Sequence, residues 1–518
     1  MSKPVQTRRA PSGQRPSPLV SAVVAITIAG TLIPLGYIAW ALVTTGPVDA
    51  YRLLVRPRVG ELLLNTTLLL VLTVPLCVVV GVLAAWLVER TDLPGRSWWR
   101  PLFVAPLGVP AFVNSYAWTG TVPSMHGLFA AVLVTTLSYF PFVYLPVLAT
   151  LRRLDPAIEE SARALGSDSP GVFIRVVVPQ LRLAVLGGSL LIGVHLLAEY
   201  GAFAMLRFDT FTTAIFQQFQ ATFDGAAGSM LAGVLVLYCL ILLIAEARLR
   251  GDARYARIGA GAPRDITVIP LRHWTFGAIA GLSALVVLAL GVPAWTIGRW
   301  LAIGGASVWV PADLAETLLQ TILLGLLAAV VTTALAYPIA WVAVRTRGAL
   351  ARSVEGANFI TSALPGIVTA LALVTVAISV ARPLYQTVAL LLGAYVLMFL
   401  PRALVNVRAG LAQVPPALEE QSGSLGTAPA ATFVRVTLPL TAPAAAAGAA
   451  LVFVAVTTEL TATLLLAPTG TTTLSTRFWS FSSELDYAAA APYAALLVVL
   501  AVPVTVGLLR QSMRTAAS

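Results

Sequence analysis

Apolar residues run through this sequence in long stretches, separated by short segments that contain arginine, proline and glycine. Stretches of about 18 or more apolar residues recur, the length that a helix needs to cross about 30 Å of hydrocarbon. The pattern predicts an all-α polytopic membrane protein with about twelve transmembrane helices. The predicted spans lie near 19–45, 62–88, 101–121, 127–150, 183–206 and 226–247, and near 275–297, 315–343, 357–380, 386–407, 440–466 and 488–509.

The composition agrees with this class. Of 518 residues, 58% are hydrophobic and 11% are charged, whereas a soluble domain has roughly 25% charged residues. The net charge of +11 does not indicate a nucleic-acid partner, because the basic residues are dispersed between apolar stretches. We expect the apolar surface of the protein to be in contact with the lipid bilayer. Cys77 and Cys239 lie inside apolar stretches, and we interpret both as packing residues.

The distribution of basic residues predicts the orientation in the membrane. With the N-terminus in the cytoplasm, all but seven of the 33 basic residues fall in cytoplasmic segments, as the positive-inside rule requires. The seven outside are Arg52, Arg56, Arg58, Arg207, Arg299, Arg382 and Arg477. Both termini are therefore expected in the cytoplasm. The first apolar stretch, Leu19 to about Val43, is too long for a cleaved signal peptide and is expected to be an uncleaved helix.

The two halves of the sequence repeat each other. One set of matches is separated by 260 residues and an earlier set by 255, so one five-residue insertion in the second half reconciles them. The matched pairs include Trp86 with Trp341, Arg90 with Arg345, Pro110 with Pro365, Glu159 with Glu419, Gly166 with Gly426, Pro179 with Pro439 and Glu199 with Glu459. Because each repeat contains an even number of spans, the two six-helix repeats are expected to be parallel.

The repeat predicts the domain organisation. We expect a cytoplasmic N-terminal arm over residues 1–18, a first six-span domain over 19–250, a cytoplasmic linker over 251–274 and a second six-span domain over 275–518.

Two corresponding cytoplasmic loops, residues 155–181 and 415–440, contain the densest repeated pattern. Each is predicted to form a short helix that begins at Pro156 or Pro416, because proline suits the first helical turn. Acidic residues follow in that turn, where the helix dipole favours them. Each helix is expected to end at Gly166 or Gly426, since glycine tolerates a left-handed cap. An ordinary surface helix would explain one such loop, but two copies indicate a symmetric task.

These loops resemble the EAA loop of the inner-membrane permeases of binding-protein-dependent ABC importers. The motif is E-A-A-x-x-x-G followed by a hydrophobic residue and Leu-Pro, and both copies here depart from it in part, since the second lacks both alanines and contains Gly423. The resemblance implies that both loops couple to an ATPase. The residues that it assigns to coupling are Glu159, Glu160, Ala162, Gly166, Pro179, Glu419, Glu420, Gly426 and Pro439.

The resemblance also implies the partners and the location. They are two copies of an ABC ATPase subunit on the cytoplasmic side and an external solute-binding protein, in the inner or plasma membrane of a bacterium. The fused layout and the segment after Glu459 are most similar to the ferric-iron branch, although thiamine permeases share that layout. Other solutes (polyamine, phosphonate, sulfate, sugar) stay open, as does a secondary transporter of the major-facilitator type.

The sequence gives no sign of catalysis. A P-loop requires a lysine after its second glycine, whereas the single lysine here, Lys3, is followed by Pro4. We therefore expect a permease subunit that is not an enzyme, with no cofactor, no metal site and no catalytic residue, whose ATPase is a separate chain.

Three polar residues in the spans are candidates for the translocation pathway. Glu199 and Glu459 occupy equivalent positions towards the outer side of their spans, and His195 lies one helical turn before Glu199. Intramembrane carboxylates are functional candidates by default. The alternatives are that each glutamate caps or anchors a helix and that His195 is a packed core residue.

Overall fold

The computed structural model describes residues 16–154, 156–222, 225–250, 268–346 and 348–517, and over these residues it is helical, with no strand. One isolated β-bridge pairs Thr91 with Ile269. The N-terminal arm up to residue 15, most of the predicted linker (251–267) and Asp155 of the first loop lie outside the described residues.

The helices of the first half follow the predicted spans. They are Pro18–Thr45, Pro47–Leu54, Pro57–Arg90, Arg96–Leu102, Ala111–Thr121, Gly127–Tyr139, Pro141–Arg153, Pro156–Ala164, Ser169–Val172, Val178–Ala198, Gly201–Met205, Phe211–Thr222 and Gly225–Arg250. A 3₁₀ turn forms at Ala105–Gly108, and a π-helical turn forms at Phe173–Val177.

The second half repeats much of this order. Its helices are Trp274–Val286, Val292–Gly304, Pro311–Arg345, Ala349–Ala363, Gly366–Val380, Val388–Gln413, Pro416–Ser424, Pro429–Thr432, Leu438–Thr457, Thr461–Leu466, Leu474–Ser483 and Tyr487–Ala517. Turns of 3₁₀ helix form at Gly305–Val308 and Arg382–Leu384, and π-helical turns form at Val287–Gly291 and Phe433–Thr437.

In the described part of the chain, nine helices are long and apolar enough to cross a membrane, or ten if one bent pair counts as a single span. The bent pair is Ala349–Ala363 with Gly366–Val380. Two further predicted spans are helical but do not pass this test: residues 101–121 are broken by the turn at Ala105–Gly108, and the last apolar stretch covers Tyr487–Pro503. Polytopic all-α architecture is therefore confirmed, and the count of twelve spans stays a prediction.

Equivalent prolines mark the two broken spans. Pro110 and Pro365 each occupy the position before a new helix, with ψ of 143° in both. Proline cannot donate the backbone hydrogen bond that would continue the preceding helix. The break in the span is thus a repeated feature of both halves.

The described residues form two compact units. Counting only described residues, one comprises those within 16–36, 324–362 and 392–456, and the other comprises those within 37–323, 363–391 and 457–517. These units do not follow the order of the predicted domains, whose boundaries stay predictions. The larger unit has an aromatic core that includes Phe112, Tyr116 and Phe478.

The spans on either side of each loop pack closely at equivalent glycines. In the larger unit, a Cβ at Gly188 would lie 2.7 Å from the Phe142 carbonyl oxygen. In the smaller unit, a Cβ at Gly448 would lie 3.1 Å from the Asn406 Cβ atom. Small residues allow helices to approach in this way inside a membrane. Each loop is therefore attached to a tight helix pair.

Many outward side chains are apolar, as a lipid environment requires. Only 11% of the most apolar part of Trp274–Val308 is buried, and Trp274, Phe276 and Trp295 are all exposed. Exposed apolar surface of this extent is rare on soluble monomers.

Candidate functional site

The two predicted loop helices are present, and we call Pro156–Gly166 the first loop helix and Pro416–Gly426 the second loop helix. Gly166 and Gly426 have φ values of +89° and +79°. In the first, Gly166 N–H donates to the Arg163 carbonyl at 2.9 Å, and Ser167 N–H donates to the Ala162 carbonyl at 3.0 Å.

The second loop helix ends in the same way. Gly426 N–H donates to the Gly423 carbonyl at 3.0 Å, and Thr427 N–H donates to the Ser422 carbonyl at 3.2 Å. This pair of bonds is the Schellman motif, which satisfies the last carbonyls of a helix and requires a left-handed residue. The predicted glycine caps are therefore confirmed as geometry at both positions.

A buried ion pair joins the first loop helix to the end of the long helix Pro57–Arg90. Arg90 Nη2 lies 3.0 Å from Glu159 Oε1, and the two side chains are only 2% and 8% exposed. Arg90 also donates to the Leu151 carbonyl at 3.0 Å. Because unpaired charge is costly to bury, this contact fixes the start of the loop helix against the end of the span.

The second half repeats this ion pair at equivalent positions. Arg345 Nε lies 3.3 Å from Glu419 Oε2, with side chains 7% and 11% exposed. Arg345 donates to the Val414 carbonyl at 2.8 Å. The repeat aligns Arg90 with Arg345 and Glu159 with Glu419, but alignment alone does not pair arginine with glutamate. The repeated opposite charges are the sequence signal for these two ion pairs.

The second partner of each glutamate differs between the halves. Arg163 lies 3.4 Å from Glu159 within the first loop helix, but the equivalent residue in the second is Gly423. There the Thr437 hydroxyl donates to Glu419 at 3.0 Å, at the position that corresponds to Val177. Each carboxylate therefore has a second polar contact from a different direction.

A further charged cluster surrounds only the first of these ion pairs. Glu89, which is 6% exposed, accepts from Arg100 Nε at 2.9 Å and from Arg152 Nη2 at 2.6 Å. The residue equivalent to Glu89 is Val344, so this part of the site has no counterpart in the second half.

The outward surface of both loop helices carries the remaining predicted coupling residues. Glu160 and Glu420 are exposed, while Ala162 is half-buried. Next to the glycine caps, Leu165 and Leu425 are 88% and 84% exposed. One exposed leucine is common on a protein surface, but its repetition at the equivalent position makes both leucines candidates for contact with a partner. The two leucines are 260 residues apart and so are equivalent in the sequence repeat, which by itself gives them no role.

Pro179 and Pro439 are the second residues of the helices that follow the loops, directly after the π-helical turns. Val178 N–H donates to the Phe173 carbonyl, and Leu438 N–H donates to the Phe433 carbonyl. π-helical turns often occur at functional positions, and here both shift the register of the chain between the loop and the span.

Glu199 and Glu459 each accept a backbone hydrogen bond at the start of a short helix. Ala202 N–H donates to Glu199 at 3.0 Å, and Ala462 N–H donates to Glu459 at 2.8 Å. Tyr139 also donates to Glu199 at 2.9 Å. This geometry is that of a helix cap.

His195 packs beside the same tyrosine. Its ring centroid is 4.6 Å from that of Phe142 and 5.7 Å from that of Tyr139, and its Nδ1 lies 2.7 Å from the Leu191 carbonyl oxygen. The contacts are those of a packed aromatic side chain. Within the described residues, no group of three or more His, Cys, Asp or Glu side chains is arranged to hold a metal ion.

Comparison with known proteins gives a consistent result. The family model "Binding-protein-dependent transport system inner membrane component" matches the chain twice, over residues 56–250 and 321–513. An Fe(3+)-transport system permease protein of Haemophilus influenzae is 36% identical over 474 residues, which cover 90% of this chain and 93% of that protein.

Other relatives are more distant. A ferric transport system permease protein of Actinobacillus pleuropneumoniae is 22% identical over 77% of this chain and 62% of its own length. A sulfate transport system permease protein of Synechocystis is 29% identical over 35% of this chain and 72% of its own length.

Proposed function

This chain belongs to the family of binding-protein-dependent transport system inner membrane components, and we propose that it forms the translocation pathway for ferric iron. The observation that carries the choice of iron is the relative from Haemophilus influenzae, which is named for Fe(3+) transport and aligns over 90% of this chain. Sulfate permeases align over about a third of the chain, with lower identity. The iron is cargo that an external solute-binding protein would deliver.

ATP hydrolysis is assigned to a separate ATPase, of which two copies would bind in the cytoplasm. The two loop helices supply two equivalent docking positions, each with an exposed leucine and an exposed glutamate: Leu165 with Glu160, and Leu425 with Glu420. Behind each surface, a buried ion pair connects the helix to a membrane span. Force applied to the docking surface would therefore reach the span without first bending the loop.

The topology follows from the same assignment. Because the loop helices must face the ATPase, the N-terminus and the C-terminus both lie in the cytoplasm of a bacterial cell, as the distribution of arginines predicts. The segments near 206–225 and 466–487 then lie outside, where the binding protein docks. Glu199, Glu459 and His195 lie towards this side and remain candidates for contact with the pathway.

Uptake by cells that lack this gene tests the choice of cargo. We expect loss of uptake of radiolabelled ferric iron, restoration by the wild-type chain, and normal uptake of thiamine and sulfate. Normal iron uptake together with loss of thiamine or sulfate uptake would transfer the proposal to that solute. A variant in which Gly166 and Gly426 are both replaced by valine is expected not to restore iron uptake, because both caps require a left-handed residue.

A further inference from the structure

The backbone of Arg90 makes a second set of contacts, separate from the ion pair of its side chain. Ile269 N–H donates to the Arg90 carbonyl at 2.9 Å, and Asp92 N–H donates to the Ile269 carbonyl at 3.1 Å. Leu271 N–H donates to Asp92 Oδ1 at 2.7 Å. We call residues 90–92 and 269–271 the seam. It joins the end of the second span to the residues that precede the seventh.

The sequence explains why the seam forms. Ile269 precedes Pro270, which disfavours the helical region and keeps Ile269 extended. Thr91 is likewise extended, with φ of −120° and ψ of 167°. Thr91 is fully buried and Leu271 is 9% exposed, whereas Asp92 and Pro270 are exposed, so the seam has one side packed in the protein and one side open to water.

The helix that begins at Trp274 follows the seam almost directly and is hydrogen-bonded to it. Trp274 N–H donates to the Leu271 carbonyl at 3.0 Å. Arg272 between them has φ of +51°, a left-handed conformation that is unfavourable for a residue with a side chain. Only residues 272 and 273 separate the seam from this helix, so a displacement of the seam would move the start of the helix.

The same span contacts the third span of the first half. Thr296 Oγ1 donates to the Ala117 carbonyl at 3.0 Å and lies 2.6 Å from Thr121 Oγ1. All of these residues belong to the larger unit. A continuous set of contacts therefore leads from Glu159 through Arg90 and the seam to Thr296 and the helix Ala111–Thr121.

We propose that the seam carries movement of the first loop helix to the seventh span, with Asp92 as a positioning residue that holds Leu271. The inference rests on the proposed function, because it requires that an ATPase moves the loop helix. It adds a second element that this movement would displace, the seventh span, reached through residues 269–271 at the end of the predicted linker. The cluster around Glu89 holds the same end of the second span, so the seam begins at a position that several ion pairs fix.

The test measures iron transported per ATP hydrolysed by the complete complex in vesicles. Asp92→Ala removes the acceptor for Leu271 N–H and should lower this ratio about threefold, within the range for residues that couple two sites. Asp92→Asn keeps a side-chain oxygen and should restore most of the ratio. The control is Ser17→Ala, because exposed Ser17 also accepts a backbone N–H, from Val20 at 3.3 Å, and belongs to no site described above. The control should leave the ratio unchanged.

A second variant tests whether the contacts act in series. Thr296→Val removes the bond to the Ala117 carbonyl, and its effect should be smaller when Asp92→Ala is already present, since residues on one path are not additive. An unchanged ratio in Asp92→Ala, or fully independent effects in the double variant, would overturn the inference. Absence of ATP-driven iron uptake by the wild-type complex would instead refute the proposed function.

Discussion

Arg90 and Glu159 form a buried ion pair at 3.0 Å, and the repeat places Arg345 opposite Glu419 at the equivalent positions, at 3.3 Å. In both halves the arginine is the last residue of a long helix and the glutamate lies in the first turn of a loop helix. The duplication preserved the contact although the residues around it changed.

Removing one partner of this contact should destabilise the protein. Arg90→Met leaves Glu159 with only the 3.4 Å contact to Arg163, and loss of one partner of a buried pair costs about 3–5 kcal/mol. Thermal unfolding of the purified permease should therefore occur at a lower temperature. The double variant Arg90→Met, Glu159→Met should recover most of the stability, because neither charge of the pair is left buried without its partner. If Arg90→Met unfolds at the wild-type temperature, the pair does not hold the loop helix.

Two glycines of the second loop helix should respond oppositely to the same substitution. Gly426→Ala places a side chain at φ +79° and should cost about 1–2 kcal/mol. Gly423→Ala lies inside the helix, where a Cβ would meet nothing within 4 Å, and should stabilise that helix by about 1 kcal/mol. Thermal unfolding and recovery of the bound ATPase measure both effects. Equal effects of the two substitutions would contradict the assigned cap.

The exposed leucines should matter for ATPase binding and not for folding. Leu165→Glu and Leu425→Glu change side chains that are 88% and 84% exposed, so the stability of the isolated permease should change by no more than about 0.5 kcal/mol. Copurification of the ATPase should fall with each variant and further with both. Leu485→Glu is the control, since Leu485 is 65% exposed on the predicted outer side. If the ATPase copurifies equally well with the variant that carries both substitutions, the two leucines do not form the docking surface.

Substitutions of Glu199 separate a helix cap from a pathway residue. Glu199→Gln keeps an oxygen that accepts from Ala202 N–H, whereas Glu199→Ala removes it and should cost about 1 kcal/mol. If capping is the main role, iron uptake with Glu199→Gln should stay close to that of the wild type, and the same should hold for Glu459→Gln. A large loss of uptake in a stable Glu199→Gln variant would show that transport needs the negative charge of Glu199, as expected for a residue of the translocation pathway.

The sequence predicted the features that depend on local chemistry. Proline and glycine at fixed spacing predicted both loop helices and their caps, because these residues restrict or permit specific backbone conformations. Apolar stretches predicted helical spans because a bilayer requires them.

Features that depend on contacts between distant segments were not predicted. Glu89 has no counterpart in the second half, so the repeat gave no reason to select it, and its contacts to Arg100 and Arg152 depend on how three helices pack. The seam escaped for a similar reason, because Ile269 belongs to a segment that looks like ordinary linker. The ion pairs of Arg90 and Arg345 could have been predicted from the sequence. Both repeats have an arginine and a glutamate at equivalent positions, on the same predicted side of the membrane.

Transport by purified components in vesicles tests the central claim most directly. Vesicles that contain this chain, the ATPase encoded with it and the ferric-loaded binding protein should accumulate iron when ATP is present on the ATPase side. Vesicles that lack the ATPase, or that contain an ATPase unable to hydrolyse ATP, should accumulate none. Iron accumulation by the permease alone would contradict the account.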